Sequence, residues 1–277
     1  MTAVEPGGGI GRERTVPARG AAFGRVLAAE WTKIITVPST FWTLLAGVVV
    51  SVGLSVLISL AYTSSYEQLP EYDRQAFDVA SFSLVGLNFG MVAFGVLGVL
   101  VITGEYATGM IRTALTAVPR RVQYLAAKAL VLAGVVLAVG LVVSFASFFL
   151  SQLIYRTKGL DGSLGDPGVL RAVVGGAVYL TLIALISLAV GVLLRHTAGA
   201  VTTVLGVLFV LPIIGAFLPG EWGDDVAKLL PSNAGGMLMT AKEAPDSLSP
   251  LAGGAVFALY TAIALAAAFV SFTRRDA

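Results

Sequence analysis

Residues 129–154 read ALVLAGVVLAVGLVVSFASFFLSQLI, a run without a Lys, Arg, Asp or Glu. As an α-helix, at 1.5 Å per residue, it reaches about 39 Å, enough to cross the roughly 30 Å hydrocarbon core of a bilayer. A strand of a membrane barrel would be about 10 residues long and would alternate apolar with polar positions. This run does neither, so it reads as a membrane helix.

Five further runs share the character: 41–62, 79–103, 172–194, 197–218 and 251–272. The six together take 140 of the 277 residues and none of the 34 formal charges. Buried helices of a soluble protein would not repeat this pattern six times. The expected fold class is therefore all-α, an integral membrane protein with six transmembrane helices. The composition agrees. Charged residues are 12% of the chain, about half the share in an ordinary soluble domain, and the mean hydropathy is +0.89. A soluble enzyme, a disordered protein and a coiled coil are excluded. The chain has no Cys and a single His, His196, which excludes disulfides, thiolate metal sites, Cys nucleophiles and a multi-His metal centre. A net charge of +2 is too small to suggest nucleic acid.

Orientation follows from the Lys/Arg bias of the connections. One side holds Arg12, Arg14, Arg19, Arg25 and Lys33, then Arg112, Arg120, Arg121 and Lys128, then Arg195, Arg274 and Arg275, twelve of the eighteen basic residues. The other side holds six, three of them (Arg156, Lys158, Arg171) in the one dissenting loop. Both termini are expected to be cytoplasmic, in the plasma membrane. Residues 1–40 lack an apolar core with a cleavage site, so no signal peptide is expected and the first span serves as the insertion signal.

Residues 1–20, rich in Gly and Arg, read as a disordered tail, and 21–277 as one six-span domain. Residues 21–36 read as an interfacial amphipathic helix: Phe23, Leu27, Trp31 and Ile34 form a stripe, and Arg25 and Lys33 lie off its centre. Pro38 and Ser39 end it. Glu30 falls inside the stripe. It is either an edge carboxylate that snorkels to water or the partner of a fixed cation on a neighbouring helix.

The connection between the second and third spans carries the most information. In Met110-Ile111-Arg112-Thr113-Ala114-Leu115-Thr116-Ala117-Val118, the residues Met110, Ile111, Ala114, Leu115 and Val118 give one apolar face over about two turns, and Pro119 ends the helix. A further helical stretch, 121–128, runs into the third span. Arg120 and Arg121 stand at its start, where the helix dipole disfavours cations. They serve topology and anionic lipid headgroups, or they form a docking surface for a cytoplasmic protein. Arg195, His196 and Thr197 alone join the fourth and fifth spans, which must form a tight antiparallel hairpin; His196 reads as a bystander at the turn. On the outer side, 219–249 is too long for a plain loop. A short helix is expected over 224–230, then a turn at Pro231-Ser232-Asn233 capping a helix over 234–242. Within the spans, Gly86 and Gly90 permit close helix contact, Asn88 between them needs a partner, and Pro212 should kink the fifth span.

No span carries a coupling charge, which argues against a self-sufficient carrier. No intramembrane protease motif and no Gly-x-x-x-x-Gly-Lys-Ser/Thr is present. Uphill transport would need an energised partner. Four stretches carry a resemblance: Glu30-Trp31-Thr32-Lys33; Gly104-Glu105 through Gly109 and on to Pro119-Arg120-Arg121 and Lys128; Leu230-Pro231-Ser232-Asn233-Ala234-Gly235; and Phe272-Thr273-Arg274-Arg275-Asp276. With these the chain resembles the membrane (permease) subunit of a type-2 ATP-binding-cassette (ABC) exporter, in a dialect similar to actinobacterial members.

The resemblance implies roles. Residues 21–36, with Glu30, Trp31 and Lys33, would be the interfacial elbow. Glu105, Gly109, Met110, Arg112, Leu115, Pro119, Arg120 and Arg121 would belong to the loop that seats on the ATPase. The partners would be two cytoplasmic ABC ATPase subunits and a second permease chain, identical or not, around a central path. ATP hydrolysis would lie on the partner, so this chain would be no enzyme and would hold no cofactor or metal. A non-transporting assembly or sensor protein, and an autonomous carrier, stand as alternatives.

Overall fold

The computed structural model describes residues 23–242 and 247–274. The expected tail over 1–20, with its three arginines, and the closing Arg275-Asp276 lie outside the described residues. Among the described residues the chain folds into helices α1 (Phe23–Thr36), α2 (Pro38–Ser65), α3 (Glu71–Gln75), α4 (Val79–Leu84), α5 (Leu87–Ala107), α6 (Met110–Ala117), α7 (Arg121–Tyr155), α8 (Val169–Leu194), α9 (Thr197–Leu205), α10 (Leu211–Ala216), α11 (Glu221–Leu229), α12 (Pro231–Gly236) and α13 (Pro250–Arg274), and no strand forms. Among the described residues, six helical stretches are long and apolar enough to cross a membrane. The protein is an all-helical, multi-pass membrane protein.

Helix α8 runs through the middle, with α5, α7 and α13 around it; α2 closes one side against α5 and α7, and α9 lies on α8 and α5. Tyr179, Ile183, Leu188 and Val192 of α8 are fully buried. The outward faces of α2 and α13 expose Phe41, Trp42, Val49, Leu57, Leu259 and Ile263. This is the apolar belt that acyl chains cover.

Helix α2 approaches its neighbours through small residues. Gly47, Ser51, Ser55 and Ser59 recur every four positions and are all buried. Gly86 and Gly90 face this row: a Cβ on Gly86 would collide with the Ser51 carbonyl oxygen, and one on Gly90 with the Ser51 hydroxyl. The Gly86 N–H donates to Ser55 Oγ at 3.1 Å. The second span is therefore not the single helix expected over 79–103. It breaks at Val85–Gly86, between α4 and α5, where that N–H turns to the neighbouring helix. Further along α2, Ser59 Oγ lies 2.8 Å from Tyr155 Oη and 2.9 Å from Ser151 Oγ, donating its one proton to one hydroxyl and accepting from the other, interhelical bonds worth about 1 kcal/mol each in a bilayer.

The fifth span departs from α geometry before Pro212. Gly206–Val210 is π-helical. Proline has no N–H and would press on the carbonyl four residues back, and the wider π turn relieves that contact. The outer segment also differs from expectation. The first short helix begins at Glu221 rather than at 224. The second begins at Pro231, because proline at the first helical position has its φ already set. Asn233 is not its cap but donates to the Ala227 carbonyl at 2.8 Å, and a 3-10 turn, Met237–Met239, ends the segment. Asp78 pins it: its carboxylate accepts from Ala80 N and Ser81 Oγ on its own helix, and from Ala241 N at 2.8 Å and Lys242 N at 3.1 Å across the gap.

Candidate functional site: a buried charge cluster at the α1 end

The helices outrun the charge-free runs. Helix α5 continues to Ala107 and α7 starts at Arg121, so each carries a charged residue, Glu105 and Lys128, into the packed end of the bundle. Helix α1 lies across α7 and touches α2. Its inward face is Val26, Glu30 and Ile34. Trp31 and Ile35 turn outward, 51% and 59% exposed. The stripe expected around Trp31 is thus split, and Glu30 sits at the centre of the buried side. It does not snorkel.

Glu30 meets the cation. Lys128 Nζ lies 2.6 Å from Glu30 Oε2 and 3.0 Å from Glu105 Oε1, and donates to the Val101 carbonyl at 3.3 Å. Lys33 Nζ lies 2.7 Å from Glu30 Oε1 and 2.8 Å from Glu105 Oε1. Tyr124, one turn before Lys128, donates its hydroxyl to Glu105 Oε2. Both ammonium groups sit over the Tyr124 ring, at 5.4 and 5.3 Å from its centroid, an added cation–π attraction. Tyr124 stacks in turn on Phe272 of α13, and Arg121 donates to the Phe272 carbonyl at 3.3 Å.

The side chains of Lys128 and Glu30 are 2% and 3% exposed. Isolated charges could not be held so deep. Two carboxylates and two ammonium groups balance here, and each carboxylate bridges both cations. Lys33 is the member nearest water, its side chain 30% exposed. Burial works against its charge, but its hydrogen bonds to Glu105 and Glu30 outweigh that, and its pKa lies above the ordinary lysine value. The cluster is a neutral joint that locks α1, α5 and α7 together. Nothing in it is left over to act as nucleophile or general base. Among the described residues, no group of three His, Asp or Glu gathers as metal ligands would.

The loop singled out in the sequence continues from this joint. Gly109, at φ 72°, turns the chain from α5 into α6, a left-handed conformation that glycine adopts without strain. Ile111 is buried, with Ala114, Leu115 and Val118 packed partly against the core. Met110 is 49% exposed, and so does not belong to the packed face. Arg112, Pro119 and Arg120 are exposed, and Arg121 is half-buried. Helix α6 thus keeps one side on the protein and shows Met110, Arg112 and Thr113 outward. Gly86 and Gly90 lie about 25 Å away along α5, against α2. Asn88 is half-buried and lines a cleft of about 360 Å³ with Ser81 and Asn233. His196 caps α9: its Nδ1 accepts from Gly199 N at 3.2 Å.

Sequence reasoning reached Glu30 and Glu105 separately and missed that they share Lys128, and it missed Tyr124 altogether. The available signal was the four-residue spacing of Tyr124 and Lys128, which puts both on one helix face. No protein-family model matches the chain, and no curated protein matches it.

Proposed function

We propose that the chain is the permease subunit of an ATP-driven ABC exporter in the plasma membrane, with both termini and α6 in the cytoplasm. Two such chains would form the translocation path, and two separate ATPase subunits would seat on their α6 helices. The observation that carries the reading is the linkage at the α1 end. Helix α6 follows α5 through a two-residue turn, and the last turn of α5 is fastened by Glu105 to Lys33 of α1 and Lys128 of α7. A push on α6 by a partner would reach three helices at once instead of being lost in a loop. Arg112 and Arg120, cations on this face without a partner among the described residues, would meet acidic groups of the ATPase.

The test is affinity purification of the full chain in mild detergent. A chain with a nucleotide-binding Gly-Lys-Ser/Thr loop and no membrane span should come with it. The double variant Met110→Asp and Arg112→Glu should lose at least about tenfold of that partner, the weight of about 1.4 kcal/mol. Both residues are exposed, so the fold should be unaffected. Undiminished recovery of the ATPase would overturn the assignment of α6. Recovery of a kinase or an assembly complex in its place would favour the non-transporting alternative.

A further inference from the structure

Beside the charge cluster, a groove of about 330 Å³ opens between α1, the start of α2 and α5. Ile34 from α1 and Leu97, Leu100 and Val101 from α5 form its apolar wall, and the charge cluster itself, Glu30, Lys33, Glu105 and Lys128, also lines it. The α5 residues belong to a membrane-spanning stretch, so the medium beside them is acyl chain. The apolar wall of the groove offers water no hydrogen bond and suits an acyl chain. At its mouth stand Ser39 and Thr40 in the first turn of the 28-residue α2.

Three observations define that mouth. Helix α2 begins with Pro38, and no side chain caps it, so its first turn presents the positive end of a long helix dipole. Thr40 is only 7% exposed, yet its hydroxyl has no hydrogen-bond partner among the described residues, although it lines the groove. The Thr40 oxygen is not among those sealed inside the packed protein, so a ligand in the groove can reach it and complete its hydrogen bonding. The neighbouring carboxylates, Glu30 and Glu105, are neutralised by Lys33 and Lys128, so an anion at this mouth meets no net negative charge.

We infer that this groove binds one glycerophospholipid, its phosphodiester on the first turn of α2 and the Thr40 hydroxyl, and one acyl chain along Leu97, Leu100 and Val101. The inference stands independently of any ATPase partner. The dipole and hydroxyl recognise the phosphate, and the apolar wall requires that this phosphate carry a chain. A free phosphate ion would leave the groove unfilled.

Native mass spectrometry of the delipidated full-length chain in detergent tests this. Dioleoylphosphatidylglycerol, monoolein (the acyl glycerol without phosphate) and inorganic phosphate are added in turn. One phospholipid per chain is expected, retained at least about fivefold better than monoolein, as fits a hydrogen bond to a charged group. Thr40→Val should remove that preference and leave monoolein retention unchanged. Leu100→Trp, at a partly exposed position that tolerates the larger ring, should reduce both lipids. Leu259→Trp on the outward face of α13 should change neither. If Thr40→Val fails to fold, as judged by elution and thermal unfolding, Thr40→Ala is read in the same way. Equal retention of monoolein and phospholipid, indifference to both groove substitutions, or binding of inorganic phosphate as tightly as the lipid would each overturn the site.

Discussion

Lys128 is a primary ammonium enclosed by α1, α5 and α7, and its cost of desolvation is met chiefly by Glu30 and Glu105 together, with the Val101 carbonyl and the Tyr124 ring beside them. Removing it leaves two carboxylates facing one cation. Lys128→Met is therefore expected to destabilise the chain by about 3–5 kcal/mol, the usual cost of stranding a buried charge. Adding Glu30→Gln restores neutrality, so the double variant should be less unstable than the two single changes summed, by about 1–3 kcal/mol. Thermal or denaturant unfolding in one detergent reads the cycle, and strict additivity would mean that the two side chains do not interact. Lys33 gives a pH dependence. Its folded pKa lies above the ordinary lysine value, so its stabilisation is complete below the unfolded pKa and is lost as pH rises through the folded one. The gap in unfolding temperature between wild type and Lys33→Met should stay constant from about pH 6 to 9 and shrink above about pH 10.5. Glu30 was legible as out of place, because a carboxylate in an apolar stripe demands an account. Its partner was not legible, since Glu30 and Lys128 are 98 residues apart and the sequence between them carries no periodic trace of a contact that the fold alone creates.

Among the elements, α2 and α5 meet through a small-residue seam, and its weight can be measured. Gly86→Ala forces a methyl against the Ser51 carbonyl oxygen, backbone that cannot rotate away. It should cost about 1–3 kcal/mol or separate the helices. Gly134→Ala on α7 meets nothing within 4 Å and should be tolerated, so equal stability of the two variants would contradict the seam. The outer segment hangs on Asp78. Asp78→Ala should cost about 1–3 kcal/mol through its unpaired donors, and hydrogen exchange should rise at Ala241 and Lys242. The glycine spacing forecast close contact on the second span. The serine row of α2 went unread, because a serine every fourth residue in a hydrophobic run does not say which neighbour it faces. The break at Val85–Gly86 and the π turn before Pro212 depend on packing and were likewise invisible, although Pro212 marked the place of the second.

For the whole molecule, the long charge-free runs gave the six spans, since the bilayer leaves a chain no other way to satisfy its backbone than helix or closed barrel. Helix ends were harder. The charges that terminate a run in sequence lie inside the helix when a second helix neutralises them, as Glu105 and Lys128 do for each other. The permease reading makes the α1 end a receiving surface for force, with α6 as its contact. The absence of cysteine makes this directly measurable. Arg112→Cys gives a chain with one thiol, on the outward side of α6. Cross-linking it in intact cells with a short thiol-to-amine reagent, then identifying the adduct by mass spectrometry, reads the neighbour of α6. A single dominant adduct with a soluble nucleotide-binding chain is expected, lost when Met110→Asp is added. Recovery of the thiol uncross-linked, or joined only to lipid or to unrelated proteins, would contradict it.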